Sequence, residues 1–316
     1  MTAAAPPPAG LPARLRASAE VGPTVSFELY PPRSQTAAEK LWSTTLPALA
    51  EADPDFLSVT YGASGSSRDT SREVVRWVVE HSGVRPVAHL TCIGAPRDEL
   101  REVARGFVAD GVQDFLALRG DPPAGETTWR PHPDGLHRAS ELVELLLRTE
   151  PGLAVGVAAT PSCLSGWSGD PTGCGDLLAL RAKQDAGAQY AITQVFFEVE
   201  SYTRYVAAAR AAGVQVPLVP GLVPLEDPRR LRRLEEISGV PVPARVLEIL
   251  DGETDETRRR AAGLAMGAEL AEAVLEAGAP GLHLYTFNQS AASLALLDRL
   301  GLASGRLAAP AEHPAG

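Results

Sequence analysis

The feature that most constrains this chain is a repetition: short, continuously apolar runs rich in β-branched residues return along its length, most of them followed by a longer amphipathic stretch. The runs are Val25–Tyr30, Phe56–Tyr61, Val87–Ile93, Phe115–Arg119, Ala154–Ala159, Tyr190–Phe197, Pro217–Val223 and Gly281–Phe287. A strand with one face in water alternates apolar and polar residues, whereas continuous apolarity belongs to parallel strands covered on both faces. The stretches Ala37–Ala52, Arg72–Ser82, Arg97–Asp110, His137–Thr149, Leu177–Ala186 and Ser201–Ala212 carry helical periodicity. Gly111, Gly187 and Gly213 stand where a helix would end in a left-handed residue. Eight strand–helix units predict an α/β fold, a parallel eight-stranded (β/α)8 TIM barrel, in preference to a long open sheet.

The seventh connection, from about Pro224 to Pro280, is much longer than the others and holds the helical segments Asp227–Ser238, Pro243–Leu250 and Glu256–Gly278. It reads as extra helices inserted between strands seven and eight. Its arginine clusters, Arg229–Arg233 and Arg258–Arg260, read as solvated helix faces, with contact to an anionic ligand as the lesser alternative. The expected organisation is a disordered Ala/Pro-rich N-terminus over 1–23, one catalytic barrel over 24–304, and a flexible tail over 305–316.

Composition narrows the partners. A net charge of −10 and a pI of about 5.2 leave no basic surface for a nucleic-acid backbone. No apolar run is long enough to cross a bilayer, and Arg14 and Arg16 interrupt the N-terminal stretch, so no signal peptide is read there. Cys92, Cys163 and Cys174 form neither an even set nor a C-x-x-C unit, which suits a reducing, cytoplasmic setting; a zinc site needs more ligands than the Cys163–Cys174 segment offers.

Barrel enzymes carry their chemistry where strands end. Strand one ends in Ser26-Phe27-Glu28-Leu29-Tyr30-Pro31-Pro32, and burial of the Glu28 carboxylate would raise its pKa and suit it to general acid work; a salt-bridged structural glutamate is the alternative. Strand two ends in Thr60-Tyr61-Gly62-Ala63-Ser64-Gly65, a turn of small residues that matches neither a Walker loop nor a dinucleotide fingerprint. His89 lies on strand three, where a packed core histidine is the commoner role. Arg119-Gly120-Asp121-Pro122-Pro123 leaves strand four, where Asp121 could stabilise a cation. Strand six gives Thr193-Gln194-Val195-Phe196-Phe197, an amide beside aromatics suited to a planar polar ring, or simply a turn-stabilising amide.

Together with Ser58-Val59-Thr60-Tyr61-Gly62-Ala63, Ala88-His89-Leu90-Thr91-Cys92, Pro220-Gly221 and His283-Leu284-Tyr285-Thr286-Phe287-Asn288, these segments resemble the methylenetetrahydrofolate reductase family in order and spacing, from about residue 24 to 302. The resemblance implies an oxidoreductase that reduces 5,10-methylenetetrahydrofolate to 5-methyltetrahydrofolate in one-carbon metabolism and methionine supply. NADH or NADPH would be the hydride source, with FAD as the usual relay. It implies that Glu28 is the acid that opens the substrate's five-membered ring to an iminium cation, and that Asp121 is the carboxylate favouring that cation. Gln194, Phe197 and Tyr285 would hold the folate. Thr60, Tyr61, His89, Arg119, Gly120, Asp121, Thr160, Asp176 and Lys183 fall on cofactor positions.

The strand-five loop departs from that pattern. Thr160 stands where an aromatic would stack on the flavin, Leu164 near the usual histidine, and Ala179 and Ala182 where polar contacts are common. Losing a stacking face and two polar partners costs about several kcal/mol of cofactor affinity, which argues against FAD and for direct hydride transfer between nicotinamide and folate. On the folate side, Leu234 replaces a clamping aromatic and Gln289 stands where the family commonly has arginine. No Rossmann fingerprint separates NADH from NADPH, and a homo-oligomer is left open. The alternatives are a non-catalytic folate- or nucleotide-binding barrel and an unrelated barrel lyase. The second is weakened because no Schiff-base lysine or metal cluster stands at the strand ends.

Overall fold

The computed structural model describes residues 10–61, 65–122, 128–167 and 169–302. The predicted runs become strands β1 (Thr24–Leu29), β2 (Phe56–Val59), β3 (Pro86–Thr91), β4 (Asp114–Leu118), β5 (Ala154–Ala159), β6 (Tyr190–Thr193), β7 (Leu218–Val219), β8 (Gly221–Leu222) and β9 (Gly281–Tyr285). All pairings are parallel, in the order β7-β6-β5-β4-β3-β2-β1-β9-β8.

The seventh run is split because Pro220 has no N–H to give to a ladder. β7 pairs with β6 and β8 pairs with β9, so the ring closes through Pro220. Its carbonyl accepts from His283 N at 2.9 Å, and the next amide, Gly221 N, donates to Thr193 Oγ1 at 2.9 Å. A Cβ at Gly221 would lie 2.3 Å from the Thr193 carbonyl oxygen and 2.6 Å from the Tyr285 ring, so only glycine fits the closure.

Side chains alternate along each strand. On β1, Val25, Phe27 and Leu29 face outward into the main core, which they share with Leu57, Val59, Leu90, Phe115, Val155 and the surrounding helices. The other set, Thr24, Ser26 and Glu28, turns into the barrel. Register then stacks Ser26 beside His283, and Glu28 beside Tyr285 and Ser58.

The helical ring comprises α3 (Gln35–Lys40) and α4 (Leu46–Glu51), joined by a π turn over Leu41–Thr45, then α5 (Gly65–His81), α6 (Arg97–Ala109), α7 (Ala139–Thr149), α8 (Gly175–Asp185), α9 (Val199–Ala211), α12 (Glu256–Glu276) and α13 (Ser290–Arg299). Between β8 and α12 lie α10 (Pro228–Ser238) and α11 (Ala244–Gly252), the inserted helices expected in the long connection. Asp227 caps α10 by accepting from Arg229 N and Arg230 N. Among the described residues no helix is long and apolar enough to cross a membrane.

One expectation fails. The N-terminal stretch is not disordered from residue 10 onward: it forms α1 (Leu11–Arg16) and α2 (Ser18–Val21). Leu11 and Leu15 are each 1% exposed and pack with Phe56, Val87, Leu116, Tyr190, Ile192 and Val219 inside the barrel. Arg14 pairs with Asp55 at 2.8 Å and donates to the Gly22 and Pro23 carbonyls, tying the helix to the start of β1. Two leucines four apart find an apolar floor that exists only once the strands have assembled, and burying each stabilises by roughly 1.5–3 kcal/mol. Residues 1–9 and the predicted tail 305–316 lie outside the described residues.

Candidate active site

At the C-terminal end of the barrel, Glu28 Oε2 lies 3.5 Å from His283 Nε2 and 3.7 Å from His89 Nε2. Its side chain is 20% exposed, while the two imidazoles are almost fully enclosed. Ser26 Oγ spends its only proton on the Leu282 carbonyl at 3.1 Å, so at 2.9 Å from His283 Nδ1 it accepts from Nδ1–H. That bond fixes the tautomer: the Nε2 lone pair of neutral His283 faces Glu28, and the two groups attract when they share a proton. Burial lowers the His89 pKa to about 4, against the pull of Glu28, so His89 is a neutral ring at neutral pH. Tyr285 completes the wall, with its hydroxyl donating to the Thr193 carbonyl at 2.8 Å and its ring edge-on to His283.

The structure therefore gathers Glu28, His89 and Tyr285, and it adds two residues that sequence reasoning did not single out as functional, Ser26 and His283. The signal was present: both lie on the inward-facing set of their strands, at the polar positions of otherwise apolar runs.

Other candidates stand elsewhere on the rim. Gln194 Oε1 accepts from Ser162 Oγ at 3.5 Å on the β6 exit. Phe197 joins Leu234, Tyr285 and Phe287 against the apolar cluster under α10 and α11. Asp121 is exposed on the loop leaving β4, and no hydrogen bond or ion pair among the described residues ties it to Glu28. Gly120, at φ 83°, is required there, since a Cβ would meet Ile93 Cγ2 at 2.6 Å. Arg119 places its guanidinium over the Trp129 ring at 5.4 Å. Tyr61 packs edge-on against Phe107, and Thr60 accepts from Ser71 Oγ.

Across the mouth, Lys183 Nζ donates to the Ala158 carbonyl at 2.7 Å. Burial lowers its pKa to about 8, opposed by Asp176 and assisted by Arg119. Cys163, Cys174 and Asp176 bring ligand atoms within 4.8 Å of one another. Burial pushes the Cys163 thiol up, which opposes the thiolate a metal needs.

The residues present do not fit FAD. Thr160 offers no stacking face, Leu164 is 2% exposed in the core, and positions 178, 179 and 182 on the exposed side of α8 are the apolar Leu178, Ala179 and Ala182. A cleft of about 240 Å3 between α6 and α7 lies away from the strand ends, and its Arg101, Arg105 and Arg148 are paired with acids.

Comparison with known proteins identifies the family of the chain. The methylenetetrahydrofolate reductase family profile matches residues 14–301. The 5,10-methylenetetrahydrofolate reductase of Escherichia coli (strain K12) is 34% identical over 282 residues, covering 89% of this chain and 92% of that protein. The corresponding protein of Pectobacterium carotovorum is 35% identical over 279 residues, covering 88% and 90%. "Methylenetetrahydrofolate reductase (NADH) 1" of Zea mays is 29% identical and is covered over 50% of its length by 91% of this chain. Among solved structures, a Clostridium thermocellum protein described as binding two copies of 5-methyl-5,6,7,8-tetrahydrofolic acid shares the fold at a TM-score of 0.56 and 15% identity, over 83% of this chain and 88% of its own. With a matching profile over nearly the whole barrel and relatives above 30% identity covered over 90% and 92% of their length, the chain belongs to the methylenetetrahydrofolate reductase family.

Proposed function

We propose that this protein reduces 5,10-methylenetetrahydrofolate to 5-methyltetrahydrofolate in the cytoplasm, taking hydride directly from NADH or NADPH. The observation that carries the reading is the enclosed Ser26–His283–Glu28 line opening on the barrel mouth beside the apolar wall of Phe197 and Tyr285.

Methylenetetrahydrofolate is a poor hydride acceptor until its five-membered ring opens. Glu28 delivers a proton to the departing ring nitrogen, the C–N bond breaks, and the methylene carbon becomes an iminium cation. Asp121, an exposed carboxylate on the rim, favours that cation, and Gln194 holds the planar pterin. Hydride from the nicotinamide then reduces the iminium to a methyl group, leaving NAD(P)+. The proton lost by Glu28 is restored from solvent, which its 20% exposed side chain reaches, while His283, held by Ser26, keeps its Nε2 lone pair toward the carboxyl. Arg119 and Lys183 supply cations for the dinucleotide phosphates, with Gly120 allowing close backbone approach, while Thr60, Tyr61, Thr160 and Asp176 line the same rim.

The test is an assay of the purified protein with methylenetetrahydrofolate and each nicotinamide, with and without added FAD, together with its visible spectrum. Turnover without flavin is expected. Stoichiometric bound flavin would sink direct transfer, and absence of turnover under every condition would sink the reductase reading. Glu28→Gln is expected to lower kcat by about 10²–10⁴-fold while folate binding persists.

A further inference from the structure

Two thiols at the strand-five exit take no part in the chemistry proposed above. Cys163 stands on the short 3-10 turn Pro161–Leu164 that follows β5, and Cys174 is the residue that precedes α8. They are 11 positions apart in the chain and meet in space: Cys174 Sγ donates to the Cys163 carbonyl at 3.6 Å, and the two sulfurs lie within 4.8 Å of each other. The remaining cysteine, Cys92, is buried just past β3 and donates to the Leu118 carbonyl at 3.3 Å.

The backbone that presents the two sulfurs is held at both ends. Cys163 N donates to the Thr160 carbonyl and Cys174 N to the Pro171 carbonyl, each at 3.1 Å. Between them, Trp167 Nε1 donates to the Asp170 carbonyl at 3.0 Å, the Trp167 carbonyl accepts from Arg204 at 3.0 Å, and the Asp170 carboxylate accepts from Thr172 N at 3.0 Å. Sulfurs already this close need only draw together to about 2.05 Å to be bonded. Exposure divides their roles: Cys163 is half-buried and open to a small reagent, whereas Cys174 is buried behind it. Burial pushes the Cys163 thiol up, with a hydrogen bond from Cys174 and the Asp176 charge adding to the effect. A metal would need both sulfurs as thiolates, while a sulfur–sulfur bond leaves neither charged.

We propose that Cys163 and Cys174 are a redox pair that closes into a reversible disulfide, drawing the start of α8 onto the β5 exit and weakening the binding of the nicotinamide dinucleotide. The oxidant is a small-molecule disulfide. Cys163 gives up its proton and attacks one sulfur of that reagent, expelling one thiolate and leaving a mixed disulfide. Cys174, deprotonated in turn, attacks the Cys163 sulfur and expels the second thiolate. The two expelled thiolates take up the two protons, so the protein is oxidised by two electrons and the reagent is reduced by two. The consequence for binding follows from α8, which carries Asp176 in its first turn and Lys183 in its last. Lys183 Nζ already ties that helix to the Ala158 carbonyl of β5 at 2.7 Å. A second tie at the helix start shifts the cation assigned above to the dinucleotide phosphates.

The bond is independent of the reductase reading; its effect on the dinucleotide rests on that reading, and the experiment separates them. The full-length protein is treated with oxidised glutathione, then with dithiothreitol, and followed by intact mass, thiol titration and peptide mapping. Oxidation is expected to remove about 2 Da, lower the free thiols from three to one, link Cys163 to Cys174, and reverse on reduction. Cys174→Ser should stop at a glutathione adduct on Cys163. In kinetics, oxidised wild type should show a KM for the nicotinamide dinucleotide raised about threefold or more, with KM for the folate little changed. The oxidant should leave both constants of Cys163→Ser where they were. A glutathione adduct as the end product of wild type, no reaction, or a bond to Cys92 overturns the pair. A Cys163–Cys174 disulfide that does not raise KM for the dinucleotide overturns its regulatory role. If reduced wild type turns over nothing, the reductase reading fails by itself. Calorimetry of NADH and NADPH with the reduced and oxidised protein then decides: weaker binding after oxidation supports the proposal, and equal binding, or none to either form, overturns the effect on the dinucleotide.

Discussion

Replacing His89 with glutamine should flatten the acid side of the stability profile. In the folded protein the imidazole is enclosed, and burial holds its pKa near about 4 against an ordinary 6.5. The native state therefore keeps His89 neutral at pH values where the unfolded chain protonates it. Stability rises with pH wherever the unfolded state binds more protons, so this contribution is complete above about pH 6.5 and is lost as pH falls towards 4. The gap is worth about 3 kcal/mol in full, of which roughly 2.5 kcal/mol has gone by about pH 4.5. Glu28 and His283 face the ring and oppose one another, Glu28 favouring its protonation and His283 disfavouring it. Urea unfolding at intervals from about pH 7 to about pH 4.5 reads the effect directly. Carboxylates elsewhere, such as Asp110 with its arginine partners, titrate in both proteins and cancel in the difference. The wild type should lose roughly 2–3 kcal/mol more than His89→Gln across that window. Parallel curves, agreeing within about 0.5 kcal/mol, would show that the histidine is not held neutral and that its enclosure beside Glu28 is misread.

Three further outcomes follow from named contacts. Because burial lowers Lys183 to about 8, its charge fades as pH rises through that value, so KM for the nicotinamide dinucleotide should climb above about pH 8 in the wild type and stay level in Lys183→Gln. Gly221→Ala drives a methyl into the Thr193 carbonyl at the barrel closure, where backbone cannot yield; a loss of about 3 kcal/mol or more is expected in chemical denaturation. Leu15→Ala should cost about 2–5 kcal/mol, a result a disordered N-terminus could not give, since an exposed leucine would change stability little.

Much of this molecule was written in its sequence. The eight apolar runs announced parallel strands because burial on both faces removes the alternation of a half-exposed sheet, and the strand ends marked Glu28, Asp121 and Gln194 as candidates. Their family resemblance followed from several short segments in one order. Two local misreadings have local causes: the seventh run divides at Pro220, which cannot donate to a ladder, and one predicted helix carries a π turn between Lys40 and Leu46. Tertiary structure decided what depends on residues far apart in the chain. Ser26 and His283 become partners only when the last strand closes on the first, a contact across 257 positions. The fate of Leu11 and Leu15 depended on an apolar floor assembled from strands β2, β3, β4, β6 and β7. Arg230 likewise reads as one more charge in an arginine-rich helix until folding pairs its neighbours with acids and lays it over Phe287. Periodicity is a property of neighbouring residues and is legible along a chain; a side chain's partner is set by which faces the closed barrel brings together.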